Sequence, residues 1–124
     1  MPFALTILKK EHKKYIKNKK NFRCDFMTMT FDTNKKYLNK IHAGCHPYDH
    51  TVRPQILEKE FNPMYYSIIK KFYDLTGIPA LLNTSLNLHG YPVASSLKDV
   101  AFTFKTSDLK FLYINDNFLI AKKC

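Results

Sequence analysis

Asn62-Pro63 and Gly77 bracket a stretch whose punctuation allows little but a helix, and that stretch runs straight into an apolar segment. Asn is a favoured N-cap, Pro suits the first helical position, and Gly ends helices in the left-handed conformation. Between them Tyr65, Ile68, Ile69, Phe72 and Leu75 recur at helical spacing, which predicts one buried face. The strand expected over Pro79–Leu82 follows with almost no connection. A helix delivered this directly onto a strand makes an α/β (α+β) architecture, with helices packed on a mixed sheet.

The remaining elements are weaker. Leu5, Leu8, His12, Tyr15 and Ile16 follow a helical spacing and predict a basic amphipathic helix near the N-terminus, with an exposed turn at Asn18–Asn21. Phe26–Phe31, Ile41–Cys45 and Arg53–Leu57 read as short strands. Ser96-Leu97-Lys98-Asp99 resembles a capping box, opening a short helix whose buried stripe is Leu97, Val100, Ala101 and Phe104. Leu109–Ile114 and Phe118–Lys122 flank Asn115-Asp116-Asn117 as a closing hairpin. No repeat and no Gly/Ser linker interrupts the chain, so residues 1–124 read as one compact unit.

With 45% hydrophobic and 15% aromatic residues, the chain can bury a core and is not globally disordered. It has neither a bilayer-length apolar run nor a signal-peptide core, because Lys9 and Lys10 cut Phe3–Leu8 short. Cys24, Cys45 and Cys124 are odd in number and widely spaced, which favours reduced thiols and a cytoplasmic setting. The net charge of +10 is concentrated: residues 1–23 carry eight basic side chains against Glu11. Such a stripe can attract nucleic acid or anionic lipid. It can equally be the solvated face of a helix, because its aromatics are limited to Tyr15 and Phe22.

The segment His42–His50 holds three histidines and Cys45, all competent zinc ligands, yet lacks any established ligand spacing. Strand alternation over Ile41–Cys45 also points His42 and Cys45 to opposite faces. A metal-binding structural role built on His42, Cys45, His46 and His50 is therefore a minor alternative. A Cys45 nucleophile paired with His46 or His50 lacks an orienting third group. Arg53 is more informative, since its guanidinium fork matches phosphate or carboxylate oxygens; its ordinary role is an ion pair with Glu58. After Leu82 the chain changes to Asn83-Thr84-Ser85-Leu86-Asn87 and then Gly90-Tyr91-Pro92. Polar side chains clustered where a buried strand ends either satisfy a turn or face a ligand.

Taken in order, five segments resemble one family. Pro2-Phe3-Ala4, the His46…Asp49…Thr51-x-Arg53-Pro54-Gln55 segment, Asn62-Pro63, Thr76-Gly77-x-Pro79, and Asn83-Thr84-Ser85-x-Asn87-x-x-Gly90-x-Pro92 are similar to the C-terminal domain of NodU/CmcH-type O-carbamoyltransferases. That resemblance covers nearly the whole chain and implies a YrdC-like twisted mixed sheet. It implies use of ATP, with Mg2+, and carbamoyl phosphate to make carbamoyl adenylate, whose carbamoyl group then passes to a hydroxyl of a small molecule. The partner implied is an N-terminal Kae1-like domain or subunit, which carries the family's metal; no metal is expected in this chain. By the same resemblance Arg53 and Ser85 are catalytic. Asn83, Thr84, Asn87 and Gly90 join them in binding nucleotide and carbamoyl group, Gly90 by allowing close backbone approach. His46 and Asp49 support them.

There are departures. Tyr91 stands where the family has glutamate, Leu86 replaces a usual phenylalanine, and the family's Lys-x-Arg-Glu and Gly-Pro-Arg-Ala-Leu-Gly segments are absent. The resemblance therefore implies a partial domain, incomplete on its N-terminal side and inactive by itself. A non-catalytic nucleotide- or RNA-binding module of the same shape is the alternative.

Overall fold

The computed structural model describes residues 4–115 and 118–123; Pro2, Phe3, Asp116, Asn117 and Cys124 lie outside them. Although no linker marks a boundary, the chain divides into two compact units, Met1–Thr84 and Ser85–Cys124.

The first unit is built on β1 (Ala4–Leu8). It pairs in parallel with β2 (Pro54–Leu57) and antiparallel with β3 (Ala80–Asn83), giving the order β2-β1-β3. The sheet is mixed and carries helices, as the α/β reading requires. Leu5 and Ile7 face a cluster with Tyr15, Ile16, Phe31, Ile41, Val52 and Ile56. On the other face, Leu8 and Leu57 meet Ile69 of α3 (Pro63–Thr76), flanked by Tyr65, Tyr66, Tyr73 and Leu81. Thr6 also lies on the α3 face and is fully buried; its hydroxyl donates to Gln55 Oε1 at 3.0 Å across the β1–β2 pair.

The N-terminal helix is the largest correction. Residues 4–8 form a strand, and helix is confined to α1 (His12–Tyr15). Leu5, Leu8, His12, Tyr15 and Ile16 are indeed all buried. Their spacing is produced by a strand, a turn and a single helical turn in succession. A strand covered on both faces reads as a continuous apolar run, which periodicity alone cannot separate from helix.

Two expected strands are also absent. Phe26–Phe31 bends away at Met27, where φ is 58°, and only Phe31 pairs, exchanging both backbone bonds with Val52 at 2.9 Å. Ile41–Cys45 continues α2 (Leu38–Ile41) as a 3₁₀ turn over His42–Gly44. Gly44 packs so closely there that an added Cβ would sit 3.1 Å from Leu5 Cδ1 and 3.2 Å from Leu82 Cδ2.

In α3 the Asn62 side chain accepts from Tyr65 N–H, Pro63 begins the helix, and Gly77 ends it at φ 70°. Its buried face is rotated from the expected one. Leu75 is 86% exposed and Ile68 43%, while Tyr66 and Tyr73 pack inward beside Ile69.

In the second unit, α4 (Leu97–Thr106) carries the expected capping box between Ser96 and Asp99. Thr103 and Phe104 are its buried residues, whereas Leu97 of the expected stripe is exposed. The hairpin pairs β4 (Phe111–Ile114) with β5 (Phe118–Ala121) antiparallel. Lys122 closes this unit by donating to Ser107 O and lying 5.2 Å over the Phe104 ring.

Truncating Ile7, which has no exposed surface in the central strand, is expected to cost about 2–5 kcal/mol. Asn62→Ala removes the α3 cap and is expected to cost about 1 kcal/mol. Urea unfolding checks both: the midpoint should fall further for Ile7→Ala, with the slope unchanged in each.

Candidate functional site

Arg53 and Asn83 lie on either side of one end of the central strand. The parallel register pairs Leu5 with Pro54, which sets Arg53 beside Ala4; the antiparallel register pairs Ala4 with Asn83. The two residues therefore flank the same end of β1, separated by two strand spacings, or about 10 Å. Thr84 follows Asn83 directly.

Arg53 stands on a fixed backbone. Val52 before it and Pro54 after it are buried, and Val52 bridges to both Phe31 and Cys45. The side chain itself is exposed and has no ion pair or hydrogen bond among the described residues. Glu58, the ion-pair partner expected for it, lies at the opposite end of β2 and is paired with Lys9 at 2.5 Å. A planar five-donor cation left unpaired on a rigid strand start is suited to a bidentate oxyanion.

The loop preceding Arg53 is tied internally. His46 N–H donates to Thr51 O at 2.8 Å, and His50 N–H donates to His46 O at 3.0 Å. Asp49 Oδ1 accepts from Thr51 N–H at 2.9 Å and from the Thr51 hydroxyl at 2.8 Å. Those two bonds, with His46 Nδ1 at 3.3 Å adding a smaller electrostatic contribution, hold the Asp49 carboxyl below the usual carboxylate range. The His46 contact lies outside hydrogen-bond geometry and acts as an ion pair only when the ring is protonated. His46 and Asp49 thus serve to shape the loop that ends in Arg53.

The second unit opens with the other expected residues. The Ser85 hydroxyl donates to Asn87 Oδ1 at 2.5 Å, and Asn87 Nδ2 donates to Tyr91 O at 2.9 Å. Ala94 N–H reaches back to Leu86 O at 3.0 Å, so residues 85–94 form a closed turn. Gly90 has φ 82° and an added Cβ would meet no atom within 4 Å. Its positive φ suits glycine to this turn, and the space beside its Cα is open.

The histidine-rich segment does not assemble a metal site. Among the described residues no group of three His, Cys, Asp or Glu side chains converges. Cys45 is buried, donates weakly to Ile41 O at 3.4 Å, and burial raises its thiol pKa, which opposes a thiolate nucleophile. Cys24 and Cys45 are both free thiols.

An apolar cavity of about 380 Å³ lies one residue back from Asn83, bounded by Leu5, Ile41, Gly44, Phe72, Ala80 and Leu82. Sequence reasoning missed it, because the 3₁₀ turn that forms one wall reads as a strand. The unsubstituted Cα of Gly44, packed on β1, is what its sequence signal amounts to. No helix among the described residues is long and apolar enough to cross a membrane.

Residues 1–122 match the family model described as carbamoyltransferase C-terminus. An uncharacterized protein of Methanocaldococcus jannaschii is 40% identical over 98% of this chain, which covers 23% of that protein. The nodulation protein NolO of Bradyrhizobium diazoefficiens is 32% identical over 98% of the chain and 22% of its own length. Nodulation protein NolNO of Sinorhizobium fredii is 31% identical, with 98% of this chain and 18% of that protein covered. The chain thus spans about a fifth of the length of these relatives. Over nearly its full length, the chain belongs to the carbamoyltransferase C-terminal family.

Proposed function

We propose that the Arg53 end of the sheet is the oxyanion-binding wall of a YrdC-like domain in an O-carbamoyltransferase. It would take ATP and carbamoyl phosphate and contribute to forming carbamoyl adenylate. The observation that carries this reading is the unpaired Arg53 guanidinium flanking the same strand end as Asn83 and Thr84. Phosphoryl chemistry asks the protein chiefly to position oxyanions and to stabilise charge that develops on them.

In this reading Arg53 binds phosphate or carbamoyl oxygens through two parallel N–H donors. Thr84 presents a hydroxyl and Asn83 an amide, groups that donate to phosphate or carbamoyl oxygens, whereas Ser85 and Asn87 would have to exchange their present bonds, to each other and to Tyr91 O, for bonds to ligand oxygens. The apolar cavity behind Asn83 offers an adenine ring a dry surface. Mg2+ would arrive on the nucleotide phosphates, since it retains waters and uses few protein ligands. In this reading acceptor recognition and the transfer step would fall to a further part of the enzyme; the chain itself spans about a fifth of the length of its relatives.

Arg53→Ala is expected to weaken ATP binding by about 10- to 100-fold in calorimetric titration, the loss of charge-assisted hydrogen bonds. Arg53→Lys should recover only part of it, because ammonium cannot reproduce the fork. With the preceding region of the family supplied, ATP–pyrophosphate exchange dependent on carbamoyl phosphate should fall on both Arg53→Ala and Ser85→Ala. Exchange indifferent to both substitutions would sink the proposal.

A further inference from the structure

The lysines near the N-terminus do not lie along one helix face. In this stretch only His12–Tyr15 is helical, and all of its lysines except Lys14, which pairs with Glu11, line three concavities that share walls. The central one, about 370 Å³, is bounded by Lys9, His12, Lys13, Phe22 and Arg23. It shares Lys9 and Glu58 with a smaller hollow flanked by Lys10 and Lys59. On its other side it shares Asn18 and Phe22 with a third, about 380 Å³, flanked by Lys17, Lys19 and Lys20. Together they form one basic furrow, and two of its carboxylates, Glu58 and Asp25, are already paired with Lys9 and Arg23.

Folding also displays Phe22 and brings a further aromatic ring to this region. Phe22 is 46% exposed at the junction of two concavities, with Lys20 Nζ 5.9 Å from its ring centroid. Its backbone is clamped: buried Asn18 accepts from Phe22 N–H at 2.9 Å and donates to Phe22 O at 2.8 Å. Phe61 comes from a distant segment to lie under Arg23, 5.5 Å from the guanidinium carbon, and stacks edge-on with exposed Phe26. Rigidly displayed rings along a cationic groove form the platform on which unpaired bases stack while lysines follow the phosphates.

We propose that this furrow binds single-stranded nucleic acid, with Phe22 as its central stacking residue. A lipid surface fits less well, because Phe22 lines two adjoining concavities and does not protrude from a flat face. The central concavity, around Lys9 and Glu58, lies at the opposite end of β1 from Arg53, and binding there does not rest on the carbamoyl reading.

The test is fluorescence anisotropy of the full chain with labelled oligouridine and oligothymidine of about twelve nucleotides, with a duplex as control. Binding is expected at about 0.1 M salt and should prefer single strands over duplex. The Lys17→Ala/Lys20→Ala double variant should flatten the log–log salt slope by about 1.4, the counterions of two phosphate contacts. Phe22→Ala should weaken binding about 5- to 100-fold with little change in slope, and Phe22→Tyr should restore it. No binding at that salt overturns the proposal. So does binding that Phe22→Ala leaves unchanged, whether to oligonucleotide or equally to phosphatidylserine vesicles, since only generic attraction to polyanions would then remain.

Discussion

The first unit depends on β1 being paired on both edges and covered on both faces. Its five residues hydrogen-bond β2 in one direction and β3 in the other. Their side chains alternate between the cluster under the 12–52 excursion and the one under α3. Such a strand cannot shift register by one residue without driving Thr6 into the larger apolar cluster and Leu5 and Ile7 beneath α3. Because that register is pinned, Arg53 and Asn83 are pinned with it, although they are far apart in sequence.

The same strand separates two surfaces of different chemistry. At its N-terminal end are Arg53, Asn83 and the apolar cavity. At its C-terminal end Lys9 and Glu58 open into the basic furrow. A strand of this length sets the two ends roughly 15 Å apart. Salt screens exposed charges at that distance, so the cations of the furrow do not serve as the counter-charge for an anion held at Arg53.

Legibility in the sequence followed how local each signal was. The α3 cap, its glycine stop, the capping box of α4 and the hairpin each involve neighbours within a few residues, and each formed where local chemistry placed it. The misread segments lack that locality. Ala4–Leu8 became a strand because β2 and β3 arrive from distant segments to pair with it. Phe26–Phe31 has ample β propensity but secures one bridging residue, its neighbour Cys24 having already accepted Ile56 N–H at the β2 edge at 2.7 Å. Helical spacing on α3 is compatible with several faces, and the sheet selected the one centred on Ile69.

By itself the sequence determined the α/β class, the helix bounded by Asn62 and Gly77, the family, and the residue types offered to an oxyanion. Those rest on capping, glycine conformation and ordered motifs, which short-range chemistry decides. Only the tertiary structure decided that Arg53 has no carboxylate partner among the described residues and flanks the same strand end as Asn83, that Gly44 packs closely on Leu5 and Leu82, and that Phe61 joins Arg23 at the lysine furrow. The reason is physical: which charges pair and which rings stay exposed depends on long-range strand pairing and burial, and no local window of the chain contains both partners.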